Sequence, residues 1–365
     1  MKRRDFIKLI GASITLLPIT PSTFAQTTSS SKWRSYRLSY QVTLPSTGKH
    51  ARLWLPLPDT NDTPYQFTQG SVWNGNAKSA KFYTLPQTDF PAFYAEWNGD
   101  GERLVTVSSI VKTAQRQIDL QHYNAPAKAI IPDNIKHFLQ STQQIPLDGI
   151  VHQTASAITK ESKNSSPLQK ARLIYNWVID NAAHDQSVRG RGKGDIKQML
   201  ANGSLKGKCA DINGLFVGLA RASGIPARQQ FGIRMDESAL NKNLGKFGDI
   251  STAQHCHAEF YLAGPGWVPV DPAGVCEVIA LDNLPRNHEQ ITALREKLFG
   301  TWEMNWVAFN HAENITLGQN SRAGKVPFFL YPHAEIDGKQ LDNLDPQTFS
   351  YKIVSAALIG TGAKL

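Results

Sequence analysis

Cysteine is scarce in this chain: three residues among 365. That is too few for a disulfide scaffold, and an odd number leaves at least one thiol unpaired in any arrangement. Cys256 and Cys276 pairing would leave Cys209 free; both remaining reduced and buried is equally compatible with the sequence. Long apolar runs are missing too. The longest candidate, Leu9 to Ile19, is mildly apolar and interrupted by Pro18, short of the roughly 20 residues that span a bilayer. No basic run is interleaved with aromatic residues, which excludes a nucleic-acid-binding stripe. No C-x₂-C pair of the common zinc sites and no D-x-D-x-D-G calcium loop occurs. The formal charge of +9 is diffuse, as on an ordinary solvated surface that favours, at most, anionic polymer or membrane faces.

The N-terminus is the first positive signal. Arg3-Arg4 followed by Phe6 and Lys8 precedes the short apolar run, and Thr23-Phe24-Ala25 offers small residues for cleavage. This pattern is expected for a twin-arginine export signal over residues 1–25, an address and not an anchor. The first 25 residues hold four of the cations and one acid, so the mature chain keeps about +6. It is expected in the periplasm without a stable membrane anchor.

After a Ser/Thr-rich linker, the period is two. Tyr36, Leu38, Tyr40, Val42 and Leu44 alternate with polar residues, Leu53, Leu55 and Leu57 repeat the pattern, and Leu104 to Val111 follows the turn signal Asn98-Gly99. Residues 33–125 are expected to form a small antiparallel β-sandwich. A Pro-punctuated connector follows, with a short helix at Asp133–Thr142, and the catalytic-core region is placed at 126–285. Ser166-Pro167 opens a helix whose stripe is Ala171, Ile174, Tyr175, Val178 and Ala182. Arg189 to Gly194 alternates cations and glycines without the spacing of a phosphate loop, and is expected to be a flexible loop. In residues 286–365, an extension expected to pack on the core, Asp337-Gly338 and Tyr351–Ser355 point to a hairpin and a final strand. Trp302, Trp306 and Phe309 are expected to be packing residues.

Chemistry concentrates between residues 205 and 272. Gly207-Lys208-Cys209 precedes an amphipathic helix with Ile212, Leu215, Phe216, Leu219 and Ala220 on one face, ended by Ser223-Gly224. A cysteine at a helix N-terminus meets free backbone N–H groups and the positive dipole end, which stabilise a thiolate. Those groups also hold a developing oxyanion. His255 to Leu262 has the form of a strand, Gly264-Pro265-Gly266 of a turn, and Trp267 to Asp271 of the returning strand. His255 and His257 share a face, Cys256 points the other way, and Asp271 falls on the histidines' face beside either one. A carboxylate beside an imidazole fixes its tautomer, the third role in a Cys-His-Asp triad. His255, His257 and a cysteine do not make a four-ligand zinc set, so neither metal nor cofactor is expected. Asp211 is expected to favour the dipole's positive end, and Glu259 and Trp267 to support the hairpin.

The stretch Gly207 to Arg228, ending Arg221-Ala222-Ser223-Gly224-Ile225-Pro226-Ala227-Arg228, resembles the cysteine segment of the transglutaminase-like superfamily. His255 with Glu259, followed by Gly266-Trp267-Val268-Pro269-Val270-Asp271-Pro272, resembles the histidine and aspartate hairpin of that family. The resemblance covers roughly residues 168–275. It implies an α+β, papain-like core in which a helix carrying Cys209 packs on an antiparallel sheet carrying His255 and Asp271, behind a β-sandwich as in bacterial relatives. It favours His255 over His257 as the base. The family often has an aromatic residue where this chain has His257. The implied activity is a cysteine-dependent amide-bond hydrolase working through a thioester on a peptide or protein, cell-wall-associated ones included. Transamidation by the same chemistry and a non-catalytic binding module are the alternatives.

Overall fold

The computed structural model describes residues 33–126, 130–160 and 165–358. The export signal expected over residues 1–25 lies outside them. No helix among the described residues is long and apolar enough to cross a membrane.

The alternating N-terminal pattern becomes strand β1 (Arg34–Leu44), in which Tyr36, Leu38, Tyr40, Val42 and Leu44 are all buried. It is followed by β2 (His50–Pro56), β3 (Gln66–Gly75), β4 (Ser79–Thr84), β5 (Pro91–Asn98) and β6 (Arg103–Thr113). Two antiparallel sheets result, and their inner faces share one apolar core: Leu38, Tyr40 and Val107 from one, Leu53, Phe93 and Trp97 from the other. Gly99 takes φ +85° at the Asn98-Gly99 turn, but β5 and β6 lie in different sheets, so this turn carries the chain from one layer to the other instead of closing a hairpin.

The central layer begins with helix α1 (Pro167–Asn181), whose N-terminus is closed by a reciprocal capping box between Ser166 and Gln169. Helix α2 (Cys209–Ala222) follows, then β7 (Ala227–Arg234), β8 (Gln254–Leu262), β9 (Gly266–Val270), helix α3 (Pro272–Leu281) and β10 (Trp306–Asn310). The sheet order is β9-β8-β7-β10, antiparallel throughout. Helix α2 packs on its Ala258/Phe260 face, with Phe216 edge-on to Phe260. It differs from the amphipathic helix expected from sequence: every residue from Cys209 to Arg221 is buried. Its polar residues are satisfied internally, Arg221 by the Ala227 carbonyl at 2.7 Å and by Glu313 at 3.0 Å. A helix covered on all sides is a rigid base for whatever its first residue does.

The C-terminal segment does not simply sit on this core. β10 is an edge strand of the core sheet, but β11 (His333–Ile336), β12 (Lys339–Gln340) and β13 (Ser350–Leu358) belong to the sandwich. β13 pairs with β1, placing Leu358 opposite Ser35, and β11 pairs with β2. Asp337 and Gly338 both take positive φ, the turn that matches hairpin twist. The outer side of β2 and β5 is also covered. Trp54, Ala92 and Tyr94 pack with Ile315, Leu317, Val326 and Phe329. The sandwich is therefore completed by both ends of the chain, and one apolar cluster runs from it into α2 and the core sheet.

Candidate active site

Cys209 is the first residue of α2 and only 3 % exposed. What fixes it there is Asp211. Its Oδ2 accepts the Lys208 amide at 3.0 Å, closing the helix end, while Oδ1 accepts the amides of Lys193 and Gly194, both at 2.9 Å. Arg191 gives its carbonyl to the Ala210 amide at 2.9 Å. The basic glycine loop expected to be flexible is thus strapped across the start of α2. Gly192, at φ +97°, cannot be replaced freely, because a Cβ there would lie 1.8 Å from the Asp211 carboxylate. Asp211, expected only as a favourable charge at the dipole, is a buried clamp. With Ala210 engaged, the Cys209 amide has no partner among the described residues. That is the geometry of a helix-end oxyanion donor.

The hairpin brings the other two groups. His255 and His257 lie on one face of β8 opposite Gly232 and Gln230 of β7. The β8–β9 ladder ends at Ala258 opposite Val270, so one further step would place Asp271 against His257. The chain instead turns at Asp271, which becomes the N-cap of α3. Its two oxygens divide the work. Oδ1 accepts the Gly274 amide at 2.9 Å and Asn213 Nδ2 at 3.1 Å. Oδ2 faces the imidazoles, 2.9 Å from His255 Nε2 and 3.5 Å from His257 Nε2. Of the two imidazoles, His255 is the one hydrogen-bonded to Asp271. Asn213, one turn after Cys209, also donates to the Cys256 carbonyl at 2.7 Å and accepts the Ala273 amide at 3.2 Å. One side chain therefore braces the cysteine helix, the histidine strand and the aspartate cap together. Trp306 Nε1 holds the His255 carbonyl at 3.1 Å, and Gly232 leaves room for that indole: a Cβ would approach its ring to 2.6 Å.

Comparisons with known proteins bear on the domain and the fold that carry these residues. The family model of the transglutaminase-like superfamily matches residues 152–272. An uncharacterized protein of Haemophilus influenzae is 37% identical over 336 residues, covering 88% of this chain and 90% of that protein. The crystal structure of a candidate cysteine protease from Cytophaga hutchinsonii superposes with a TM-score of 0.57 at 14% identity, covering 91% of this chain and 93% of that one. Residues 152–272 are a domain of the transglutaminase-like superfamily. The α+β papain-like core behind a β-rich N-terminal region is the fold shared with that structure.

In this transglutaminase-like site the electrostatics favour an ion pair. Burial alone would raise the Cys209 thiol, but contact with the Cys256 thiol, then the charge and hydrogen bond of His255, then Arg191, draw it well below the ordinary thiol value. Burial and the neighbouring Arg234 push His255 down, yet Asp271 and Cys209 outweigh them and raise it. Asp271 is buried, which opposes its charge, but His255 and His257 hold it far below the usual carboxylate range. Arg234 lies 3.3 Å from His255 Nε2 and is itself neutralised by Glu277 at 2.8 Å. Neither Arg234 nor Glu277 carried any signal in the sequence, nor did Asn213.

His257 sits differently. Burial lowers it well below its ordinary value, leaving a neutral ring between Trp302 and Trp306, at centroid distances of 4.8 and 4.4 Å. Its Nδ1 is buried without a partner among the described residues. The two indoles are packing residues with a purpose, since Trp302 Nε1 also holds the Val270 carbonyl at 3.2 Å. His255, His257 and Asp271 offer three ligand atoms within 4.8 Å of one another. Both imidazoles turn Nε2 toward the same carboxylate oxygen, His255 as a hydrogen bond at 2.9 Å and His257 at 3.5 Å, and Arg234 crowds the first of them. Glu259 completes the support, fully buried between Arg116 at 2.6 Å and Arg228 at 2.5 Å and accepting Gln230 at 2.9 Å. Arg116 also holds the Trp267 carbonyl at 2.6 Å. All three cysteines are free and buried, so a Cys256–Cys276 pair is not formed.

Proposed function

We propose that this chain is an exported cysteine-dependent amide-bond hydrolase acting on a peptide or protein through a thioester. The observation that carries the reading is the His255 Nε2 to Asp271 Oδ2 contact of 2.9 Å beside a cysteine that opens a buried helix. With Nε2 committed to Asp271, Nδ1 of His255 is the nitrogen left for the Cys209 proton.

Proton transfer from Cys209 to His255 gives a thiolate–imidazolium pair, stabilised by Asp271 on one side and the end of α2 on the other. The thiolate attacks the amide carbonyl, and the oxyanion takes the Cys209 amide, one donor of the hole. The intermediate collapses as imidazolium protonates the leaving amine. His255, again neutral, deprotonates a water that attacks the thioester and frees the acid. An amine taking the place of that water would give transamidation. Export to the periplasm rests on the Arg3-Arg4 signal, and cell fractionation of an Arg3→Lys/Arg4→Lys variant tests it.

Hydrolysis is tested by incubating the protein with a protein substrate and a fluorescent primary amine. New peptide termini, absent with Cys209→Ala, support a hydrolase. Amine incorporated into glutamine supports transamidation instead. Unchanged substrate with normal substrate binding contradicts both and leaves a binding module.

A further inference from the structure

Cys256 takes neither proton nor acyl group in the mechanism above, yet it is placed against the nucleophile and its thiol helps hold the charge of Cys209. It follows His255 in β8 and points to the opposite face, the one covered by α2. Gln229 Nε2 donates to the Ala210 carbonyl at 3.0 Å and reaches Cys256 Sγ at 3.7 Å, which sets that sulfur beside the first turn of α2. Asn213 fixes the Cys256 backbone to the same turn. Both thiols are buried, Cys209 at 3 % and Cys256 at 0 % exposed. Cys276 lies elsewhere, its thiol directed at the Ala182 carbonyl 3.8 Å away.

We propose that Cys256 is a resolving thiol for Cys209, closing a reversible Cys209–Cys256 disulfide when a peroxide oxidises the nucleophile. The proposal rests on Cys209 being an activated thiolate. The Cys209 thiolate attacks one oxygen of hydrogen peroxide, the O–O bond breaks, and Cys209 sulfenic acid forms with release of hydroxide, which takes the proton held by the His255 imidazolium and leaves as water. The Cys256 sulfur then attacks the Cys209 sulfur and the S–O bond breaks. The departing hydroxide takes the Cys256 proton as a second water. Two thiols lose two electrons, and one peroxide is reduced to two waters. The order of events is built in: burial and the neighbouring Cys209 keep Cys256 protonated, well above an ordinary thiol. It therefore does not compete for peroxide and attacks only once Cys209 has lost its charge. The disulfide removes the nucleophile from catalysis and protects it from irreversible over-oxidation.

The test treats the full chain with hydrogen peroxide at about pH 7 and follows Cys209 by iodoacetamide labelling and non-reducing peptide mass spectrometry. In the wild type and in Cys276→Ala, labelling of Cys209 falls about tenfold or more, a Cys209–Cys256 linked peptide forms, and dithiothreitol restores labelling. In Cys256→Ala, Cys209 is still labelled selectively before oxidation, though more slowly than in the wild type because the thiol that helps hold its charge is gone, and an unchanged circular dichroism spectrum certifies the fold. After peroxide its Cys209 proceeds to sulfinic acid, and dithiothreitol does not rescue it. Rescue that persists in Cys256→Ala, a Cys256–Cys276 linkage, or equal sulfinic acid in both proteins overturns the proposal while leaving the hydrolase reading intact. A Cys209 inert to both reagents overturns the activated-thiolate reading, and this proposal with it.

Discussion

Replacing Asp211 with Ala removes an acceptor from three backbone amides at once, those of Lys193, Gly194 and Lys208. Hydrogen bonds to a charged acceptor contribute about 1.5–3 kcal/mol each, so three set an upper range of roughly 5–9 kcal/mol. Two corrections reduce it. Burial raises the Asp211 carboxyl above its ordinary value in spite of those bonds, so removing the charge returns part of its desolvation cost. The loop that carries Lys193 is partly exposed, and water takes over some of the freed amides. A net loss of about 2–4 kcal/mol is expected, equivalent to a midpoint lowered by roughly 4–8 °C at about 2 °C per kcal/mol. Asp211→Asn keeps the Oδ1 acceptor but turns an amide toward the Lys208 N–H, and about half the loss is expected. Urea unfolding measures the stability, and limited trypsinolysis measures the strap, because Arg189, Arg191 and Lys193 are its cleavage points. The wild-type loop should resist, and Asp211→Ala should be nicked there well before the chain unfolds. A variant within about 0.5 kcal/mol of wild type, with the loop still uncleaved, would refute the clamp.

Other consequences follow from named contacts. Asp271→Asn keeps the α3 cap at Oδ1 but presents an amide to His255 Nε2; the lost ion pair, 332/(20 × 2.9) or about 6 kcal/mol before compensation, should lower kcat/KM by on the order of 10²–10⁴, read from substrate cleavage. Glu259 is held at about 2 by Arg228 and Arg116 against the opposing effect of burial. Its folded-state value is depressed, so its stabilisation is present above the unfolded value near 4.5 and is lost as pH falls toward about 2. It amounts to about 3 kcal/mol, and urea unfolding between pH 6 and pH 3 should show a shallower decline in Glu259→Gln, which is weaker at every pH because two arginines lose their partner. His257→Phe should keep the triad working, since a ring between Trp302 and Trp306 is what that slot holds; activity within about threefold of wild type is expected, and a hundredfold loss would promote His257 to the base.

The legible parts of this chain were those whose signal is local. Alternation placed β1, the Ser166-Pro167 pair placed α1, and the Gly207-Lys208-Cys209 segment placed the helix start. The His255–Asp271 hairpin was readable because both strands and their turn lie within 17 residues. Strand geometry put Asp271 beside either histidine, and only the family resemblance singled out His255; the register would carry Asp271 to His257, and the helix cap redirects it. Pairing of β13 with β1 leaves no trace in periodicity, since the partners stand at opposite ends of the chain. Helix α2 seemed amphipathic because Asn213 and Arg221 are polar by type; their partners, Asp271, Ala227 and Glu313, come from distant segments. The glycine loop seemed flexible for the same reason: glycine permits mobility, and here it permits close approach to Asp211.

The central claim is an activated thiolate at Cys209 sustained by His255, and the rate of iodoacetamide alkylation against pH tests it most directly, with the modified cysteine located by mass spectrometry. Fast, selective labelling of Cys209 below about pH 7 is expected, lost in His255→Ala and kept in His257→Ala. Labelling that rises only near about pH 8.5 and is unchanged by either substitution would contradict it.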